Sequence, residues 1–216
     1  CVVVATASGF RAGLRAGPAA ARLSPPVAAI ASREAVDRED WQAAELLHET
    51  FGGATLFYYG SLRVPSLNAN VFFKPVNEPA IGVAYNEDGD SVVGVAQLIR
   101  AELRPAIGVP NVGSRPVAYV QSVAVAESAR RQGVARSLMD WCIKNAKERW
   151  RGEAATTEMW LAVAVENAPA LALYEALGFT RRNVAMGNVL MSRSLCEDDD
   201  DCDDDMATAP SASSPT

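Results

Sequence analysis

The sequence predicts an α/β fold in which one mixed, mostly antiparallel sheet is flanked by helices. Residues 118–140 alternate as a strand does and then carry apolar residues at helical spacing, with one glycine-containing turn between the two parts. Residues 160–177 repeat the strand-to-helix order, which predicts a parallel strand pair joined by a right-handed crossover. Residues 80–85 and 91–100 are apolar runs on either side of an Asp-Gly turn, which predicts a β-hairpin.

The remaining elements are predicted from shorter patterns. A first strand is expected over residues 27–35, followed by a helix over 38–51 with Asp37 as its N-cap. Residues 52–78 show no clear period and hold aromatic residues among glycines and prolines. The chain order is completed by a Pro- and Gly-rich loop at 104–116 and by two final strands at 179–183 and 188–195.

Composition divides the chain into three parts. Residues 1–26 contain arginines but no Asp, Glu or Lys, a composition typical of an organellar transit peptide, with a flexible terminus as the alternative. Residues 27–196 have the composition of a globular domain. Residues 197–216 contain the run EDDDDCDDD, cannot form a packed core and are expected to be disordered. Without the eight acids of that run, the formal net charge of -6 becomes slightly positive.

Several classes of partner are not expected. No apolar run approaches the ~20 residues that a membrane helix needs. One His and four scattered Cys give no zinc-ligand spacing, so no metal is expected. The sequence therefore indicates neither a membrane nor a nucleic acid as a partner, and it leaves the oligomeric state open.

The turn at residues 130–135 favours an anion. Gly133 lets the backbone approach a ligand closely, and the first N–H groups of the following helix have no intrahelical acceptor. The positive end of the helix dipole and the nearby Arg130, Arg131 and Arg136 add attraction for a pyrophosphate. The same strand-turn-helix order also occurs in proteins without a ligand, so the turn alone leaves both interpretations open.

Two motifs resemble the GNAT family of N-acetyltransferases. Arg130, Gly133 and Ala135 occupy the fixed positions of the family's pyrophosphate loop, [Gln/Arg]-x-x-Gly-x-[Gly/Ala]. The family's second signature marks the start and end of a helix. A similar set of residues stands here at Asn167, Ala170, Leu173, Tyr174, Gly178 and Phe179. The resemblance covers roughly residues 30 to 195, and it is nearest to plastid enzymes that acetylate protein N-termini and lysines.

The resemblance implies a fold in which a splayed parallel strand pair binds acetyl-CoA without a metal. Tyr174 stands where the family places its general acid, and a phenol with a reference pKa near ~10 can protonate a leaving thiolate. The alternative for Tyr174 is a core aromatic residue. The implied cofactor-binding residues are Val123, Ala124, Val125, Arg130, Arg131, Gln132, Gly133, Val134, Ala135, Arg136, Asn167 and Tyr174.

The general base is less well defined by the motifs. Tyr119 occupies the place where N-terminal acetyltransferases of this family commonly have a tyrosine, and a bound water or Glu102 are the alternatives. Gln121 stands where several small-molecule acetyltransferases carry a carboxylate, and it cannot accept a proton in that role. Ala162 stands where some N-terminal acetyltransferases have a histidine, and this departure argues against the two-residue Tyr/His arrangement.

The resemblance implies transfer of acetyl groups to protein N-terminal α-amines, with lysine ε-amines as a further class of acceptor. One alternative is a small amine such as an arylalkylamine or a polyamine, and aromatic residues at Tyr58, Tyr59, Phe72 and Phe73 would fit the arylalkylamine. Another is a non-catalytic acyl-CoA-binding module. The expected location is the plastid stroma, with the mitochondrion or the cytoplasm as alternatives.

Overall fold

The computed structural model describes residues 32–52, 58–60, 62–63, 73–86, 88–103, 116–150 and 156–196. The predicted transit peptide, the acidic tail and the predicted loop after residue 103 lie outside the described residues. The elements in chain order are β1 Ser32–Glu34, α1 Asp40–Phe51, β2 Phe73–Pro75, β3 Ala80–Tyr85, β4 Val92–Leu103, β5 Pro116–Val125, α2 Val134–Arg149, β6 Glu158–Ala164, α3 Ala168–Ala176, β7 Thr180–Ala185 and β8 Asn188–Ser194.

The strands form one mixed sheet in the order β1-β3-β4-β5-β6-β8-β7, and β2 pairs with the far end of β4. Only β5 and β6 run parallel; every other pairing among the described strands is antiparallel. Helix α1 packs on one face through residues such as Leu47 against Val95, and α2 and α3 cover the other face, where Leu138 packs with Ala96. The predicted α/β architecture and its parallel pair are confirmed.

The start of α1 differs from the prediction. Asp37 does not cap the helix: its side chain is fully exposed, and Asp37–Glu39 form a 3₁₀ turn before α1 begins at Asp40. The N–H of Glu39, a donor that a cap at 37 could bind, is donated to the Val36 carbonyl at 2.8 Å. The buried Glu39 carboxylate accepts from Arg33 at 2.6 and 3.0 Å. Burial raises the pKa of Glu39, but its hydrogen bonds, the largest from Arg33, lower it to about 2.

Two other boundaries depart from the sequence prediction. The predicted first strand is present over Ser32–Glu34, while residues 27–31 lie outside the described residues. The sequence does not predict β2, because three residues ending in proline are too short to show a period. In the described part of the chain, no helix combines the length and the apolar character needed to cross a bilayer.

Candidate active site

The two parallel strands separate after a short paired segment. Residues Ala118–Val120 of β5 pair with Met159–Leu161 of β6, and the pairing then stops. Both strands continue beyond that point, β5 bound to β4 as far as Val125 and β6 bound to β8 as far as Ala164. The sheet therefore opens between residues 121–125 and 162–164, and we call this opening the cleft.

A β-bulge in β5 lies where the cleft begins. Gln97 of β4 pairs with Ser122 and Leu98 pairs with Val120, so Gln121 is an extra residue without a partner in the β4 ladder. The alternation of side chains changes across it: Val120 packs toward α2 before the bulge, and Val123 does so after it. The bulge therefore turns β5 at the level where β6 departs.

The backbone of β5 presents alternate groups to the cleft. The N–H of Ala126 is donated to the Val93 carbonyl of β4 at 2.9 Å. Because backbone groups alternate along a strand, the N–H of Ala124 also points toward β4, whereas those of Val123 and Val125 point away from it. The Val125 carbonyl accepts from the Arg130 guanidinium at 3.4 Å, which agrees with this direction. Of the three predicted backbone contacts, two line the cleft.

The turn before α2 leaves several donors available. Gly133 is the N-cap residue, with φ 86° and no side-chain cap, and the first helical bond runs from the Ser137 N–H to the Gly133 carbonyl at 2.9 Å. The N–H groups of residues 134–136 therefore have no intrahelical acceptor, and the first turn carries no acidic residue. A Cβ at Gly133 would meet nothing within 4 Å, so the space beside the turn is open. Such a helix end is suited to an anion.

The polar side chains of the turn have different surroundings. Gln132 donates to the Ser128 carbonyl at 2.8 Å and so connects the turn to a short 3₁₀ segment, Glu127–Ala129. Arg131, at φ 63°, and Arg136 are exposed, whereas Arg130 is half-buried beside Val125. The exposed Arg131 and Arg136 can reach a ligand in the open space, while Arg130 binds the end of β5.

Tyr174 lies on α3, which begins and ends as predicted. Asn167 is the N-cap and accepts the Ala170 N–H at 3.3 Å, and Gly178 follows the helix with φ 82°. The Tyr174 side chain is 0% exposed and packs edge-on against Phe179 at 5.9 Å between ring centroids. Its hydroxyl has no hydrogen-bond partner among the described residues.

Electrostatics keep the Tyr174 phenol protonated. Burial raises its pKa well above the usual range, and the nearby acidic groups of Cys142 and Tyr119 raise that pKa further. The Cys142 thiol is also buried, and burial raises its pKa. At neutral pH Tyr174 therefore holds the proton that a general acid must donate, although the same burial disfavours the phenolate that donation would leave.

Tyr119 lies on the opposite face of the sheet from Tyr174. Its ring stacks on Phe73 with centroids 4.0 Å apart, and Phe73 meets Trp160 edge-on at 6.5 Å. The Tyr119 hydroxyl is buried without a partner among the described residues, and burial raises its pKa. A raised pKa disfavours a phenolate, so Tyr119 is better suited to orient an amine than to remove its proton.

The structure does not bring Glu102 to this place. Glu102 pairs with Pro116 at the start of β5, away from the cleft. Its neighbours Ala101 and Leu103 face the Tyr119 side, so alternation directs the Glu102 side chain to the other face. A water molecule is the remaining alternative for the base. Ala162, on β6, lines the Tyr119 side as a small apolar residue.

A buried amide pair lies at the bulge, and the sequence does not predict it. Gln121 donates to Gln97 at 3.3 Å, and Gln97 donates to the Leu62 carbonyl at 2.7 Å. Both glutamines are almost fully buried. The available signal was one glutamine within each of two neighbouring apolar strands, since a buried polar residue requires a partner.

The aromatic residues that would fit an arylalkylamine are divided between two places. Phe73 joins Tyr119, whereas Tyr58 is half-buried against the α1 side and Tyr59 packs on Trp41 at 5.4 Å. Phe72 lies outside the described residues. Across the described segments, no group of three or more His, Cys, Asp or Glu side chains is arranged to hold a metal ion.

Comparison with known proteins adds to this geometry. A family model described as the acetyltransferase (GNAT) family matches residues 43–179. The N-alpha-acetyltransferase of Saccharolobus solfataricus is 41% identical over 69 residues, which cover 32% of this chain and 39% of that relative. The match thus spans about two fifths of the curated relative's length.

Two solved structures have a similar fold. The crystal structure of Arabidopsis thaliana NAA60 in complex with acetyl-CoA has a TM-score of 0.52 and 15% identity, over 76% of this chain and 98% of that one. The ribosomal-protein-S18-alanine N-acetyltransferase from Escherichia coli has a TM-score of 0.51 and 16% identity, over 77% of this chain and 94% of that one. Since the family model spans more than half of the chain and the fold agrees, the protein belongs to the acetyltransferase (GNAT) family.

Proposed function

We propose that this protein is an acetyl-CoA-dependent N-acetyltransferase that acts on the α-amines of protein N-termini. The observation that carries the proposal is the cleft, with two outward N–H groups of β5 along one edge and the free amides of α2 at its end. Membership in the acetyltransferase family supports acyl transfer as the reaction class.

The residues present fit acetyl-CoA. The N–H groups of residues 134–136, with Arg131 and Arg136, would hold its diphosphate, because these N–H groups have no intrahelical acceptor and the space beside the adjoining Gly133 is open. The backbone N–H groups of Val123 and Val125 would bind the pantetheine arm or the thioester oxygen. When bound, acetyl-CoA supplies an activated carbonyl and a thiolate leaving group.

The protein's own groups would complete the transfer. A C–N bond to the acceptor amine forms as the C–S bond breaks, and Tyr174 donates its proton to the departing sulfur. The Tyr119 hydroxyl would orient the amine, and water would carry the amine proton away. Among the described residues, the site thus provides an acid but no strong base.

This lack of a base favours α-amines over lysines. An α-amine with a pKa near ~7.7 to 8.0 is partly neutral at physiological pH, whereas a lysine near ~10.4 must lose its proton at a cost of about three pKa units. Support also comes from the relatives' names, which specify an N-alpha-acetyltransferase and a ribosomal-protein-alanine acetyltransferase. We retain lysine as a second, slower class of acceptor.

A peptide-library assay tests the proposal. The full chain is incubated with acetyl-CoA and a mixture of peptides, half with free N-termini and blocked lysines and half with the reverse, and products are identified by mass spectrometry. We expect the first half to be acetylated faster. Faster acetylation of the lysine half would overturn the α-amine assignment, and no acetylation with retained acetyl-CoA binding would favour the non-catalytic module.

One observation supports a small-amine acceptor as the second candidate. Phe73, Tyr119 and Trp160 form a buried aromatic cluster on the face opposite α3, and such a cluster would fit the ring of an arylalkylamine. Adding phenethylamine and spermidine to the same assay separates this candidate from the first. Acetylation of phenethylamine in preference to every peptide would replace the peptide proposal.

We also propose that residues 1–26 direct the protein to the plastid stroma, on the basis of their acid-poor, Arg- and Ser-containing composition. Fluorescence microscopy of plant cells that express residues 1–26 fused to a fluorescent protein tests this. Fluorescence in mitochondria or in the cytoplasm would select one of the alternatives.

A further inference from the structure

The first turn of α2 lies unusually close to the sheet. Val134, Leu138 and Trp141 face β3 and β4 at helical spacing and are buried. Opposite them the sheet carries two glycines, Gly94 in β4 and Gly82 in β3. The absence of a side chain at both places allows the helix to approach the strand backbones.

The two glycines contact different parts of α2. A Cβ on Gly94 would lie 2.6 Å from Val134 Cγ1 and 2.9 Å from Leu138 Cδ1, in the first turn and a half. A Cβ on Gly82 would lie 2.4 Å from Trp141 Cε3, in the middle of the helix. Neither glycine has a positive φ, so space and not backbone conformation requires glycine here.

Gly94 also touches the other half of the proposed cofactor site. It pairs directly with Val125, the last residue of β5, whose backbone faces the cleft. Val134 is the first residue of α2 and belongs to the first turn, whose N–H groups at residues 134–136 have no intrahelical acceptor. Gly94 therefore contacts the elements that carry both groups of backbone donors, β5 through the strand ladder and α2 through the Val134 side chain.

We propose that Gly94 is a positioning residue for diphosphate recognition, and this rests on the acetyl-CoA site proposed above. An added Cβ must move from 2.6 Å to an ordinary carbon contact of roughly 3.5 Å, which displaces the first turn of α2 by about 1 Å. Charge-assisted hydrogen bonds to the diphosphate are short and directional, so such a displacement weakens them. The pantetheine contacts of β5 do not depend on α2.

The test compares two ligands and two glycines. Full-length wild type, Gly94→Ala and Gly82→Ala are titrated with acetyl-CoA by calorimetry and with S-acetylpantetheine, which lacks the diphosphate, by NMR. We expect Gly94→Ala to raise the Kd of acetyl-CoA about tenfold, the loss of roughly one charge-assisted hydrogen bond, with less than a twofold change for S-acetylpantetheine. Gly82→Ala should leave both values within about twofold, because its clash with Trp141 lies about two turns further along α2 than the amides of residues 134–136.

A second-site variant keeps the proposal testable if Gly94→Ala folds poorly. Val134→Ala removes the Cγ1 atom at the 2.6 Å contact and leaves the 2.9 Å contact with Leu138 Cδ1, so the double variant Gly94→Ala/Val134→Ala should recover most of the acetyl-CoA affinity of Val134→Ala alone. Three results would each overturn the role of Gly94: an unchanged Kd in the Gly94 variants, an equal loss for both ligands, or an equal loss in Gly82→Ala. A wild type with no preference for acetyl-CoA over S-acetylpantetheine would instead overturn the proposed cofactor site.

Discussion

The substitution Tyr174→Phe separates the proposed chemistry from folding. It removes one hydroxyl that is fully buried and has no partner among the described residues, and it keeps the ring that packs on Phe179. Burial of an unpaired hydroxyl costs about 1–3 kcal/mol in protein mutational data. We therefore expect the free energy of unfolding to stay the same or to rise by about 1 kcal/mol, which raises Tm by about 2–4 °C in a domain of this size.

Activity should change in the opposite direction. Loss of a general acid typically lowers turnover by about 10²–10⁴-fold, and we expect at least about tenfold here. The Kd of acetyl-CoA should remain within about twofold, because the contacts that would dominate it belong to β5 and α2. Initial rates on an N-terminally free peptide, calorimetric Kd values and thermal unfolding give the three readouts.

Tyr119→Phe is the matched control, since Tyr119 is equally buried and its hydroxyl is equally unpaired. Its stability should respond in the same way, but its turnover should fall less, because an orienting hydroxyl is easier to replace than a proton donor. Unchanged turnover in Tyr174→Phe would remove Tyr174 from the mechanism. A loss of stability above about 1 kcal/mol would show that the hydroxyl is paired and that our reasoning from its isolation is wrong.

Three further predictions concern the turn before α2, the 3₁₀ turn before α1 and the N-cap of α3. Gly133→Ala and Gly187→Ala introduce a Cβ at φ 86° and 74°, with nothing within 4 Å of either. Urea unfolding should therefore show a similar loss of stability of about 1–2 kcal/mol for both variants. Calorimetry should show weaker acetyl-CoA binding only for Gly133→Ala. The folded pKa of Glu39, about 2, lies below its ordinary value of 4.5, so its contribution to the free energy of unfolding is complete above pH 4.5 and is lost as the pH falls toward 2. Over that pH range the free energy of unfolding of wild type should fall by about 2–3 kcal/mol more than that of Glu39→Gln. Parallel plots of unfolding free energy against pH for the two proteins would contradict the assignment. Asn167→Ala should cost about 1 kcal/mol in urea unfolding and Asn167→Ser almost none; equal losses would show that the cap is not the cause.

Features with a local cause were predictable from the sequence. Asn167 is followed three residues later by the N–H that it binds, and Gly178 lies directly after the last turn of its helix, so both ends of α3 are determined within a dozen residues. Gly133 similarly marks the start of α2 because the turn requires a positive φ. The β3–β4 hairpin and the parallel pair of β5 and β6 followed from the order of strands, turns and helices along the chain.

Features that depend on distant residues were not predictable. The bulge at Gln121 is invisible in the sequence because β5 is buried on both faces, so its residues are apolar in both phases of the alternation. The wrong prediction of an N-cap at Asp37 has a local cause instead, since Arg33, six residues before Glu39, holds the Glu39 carboxylate. The packing of Gly94 against α2 requires the relative position of a helix and a strand 40 residues apart.

The extra residue in β5 has a thermodynamic consequence. With Gln121 inserted, β5 and β6 have no common register beyond Val120 and Leu161, so the outward amides of Val123 and Val125 cannot be satisfied by the neighbouring strand. An extended molecule with amide groups of its own could act as a short guest strand at this edge. No backbone hydrogen bond between β5 and β6 would have to break before it entered.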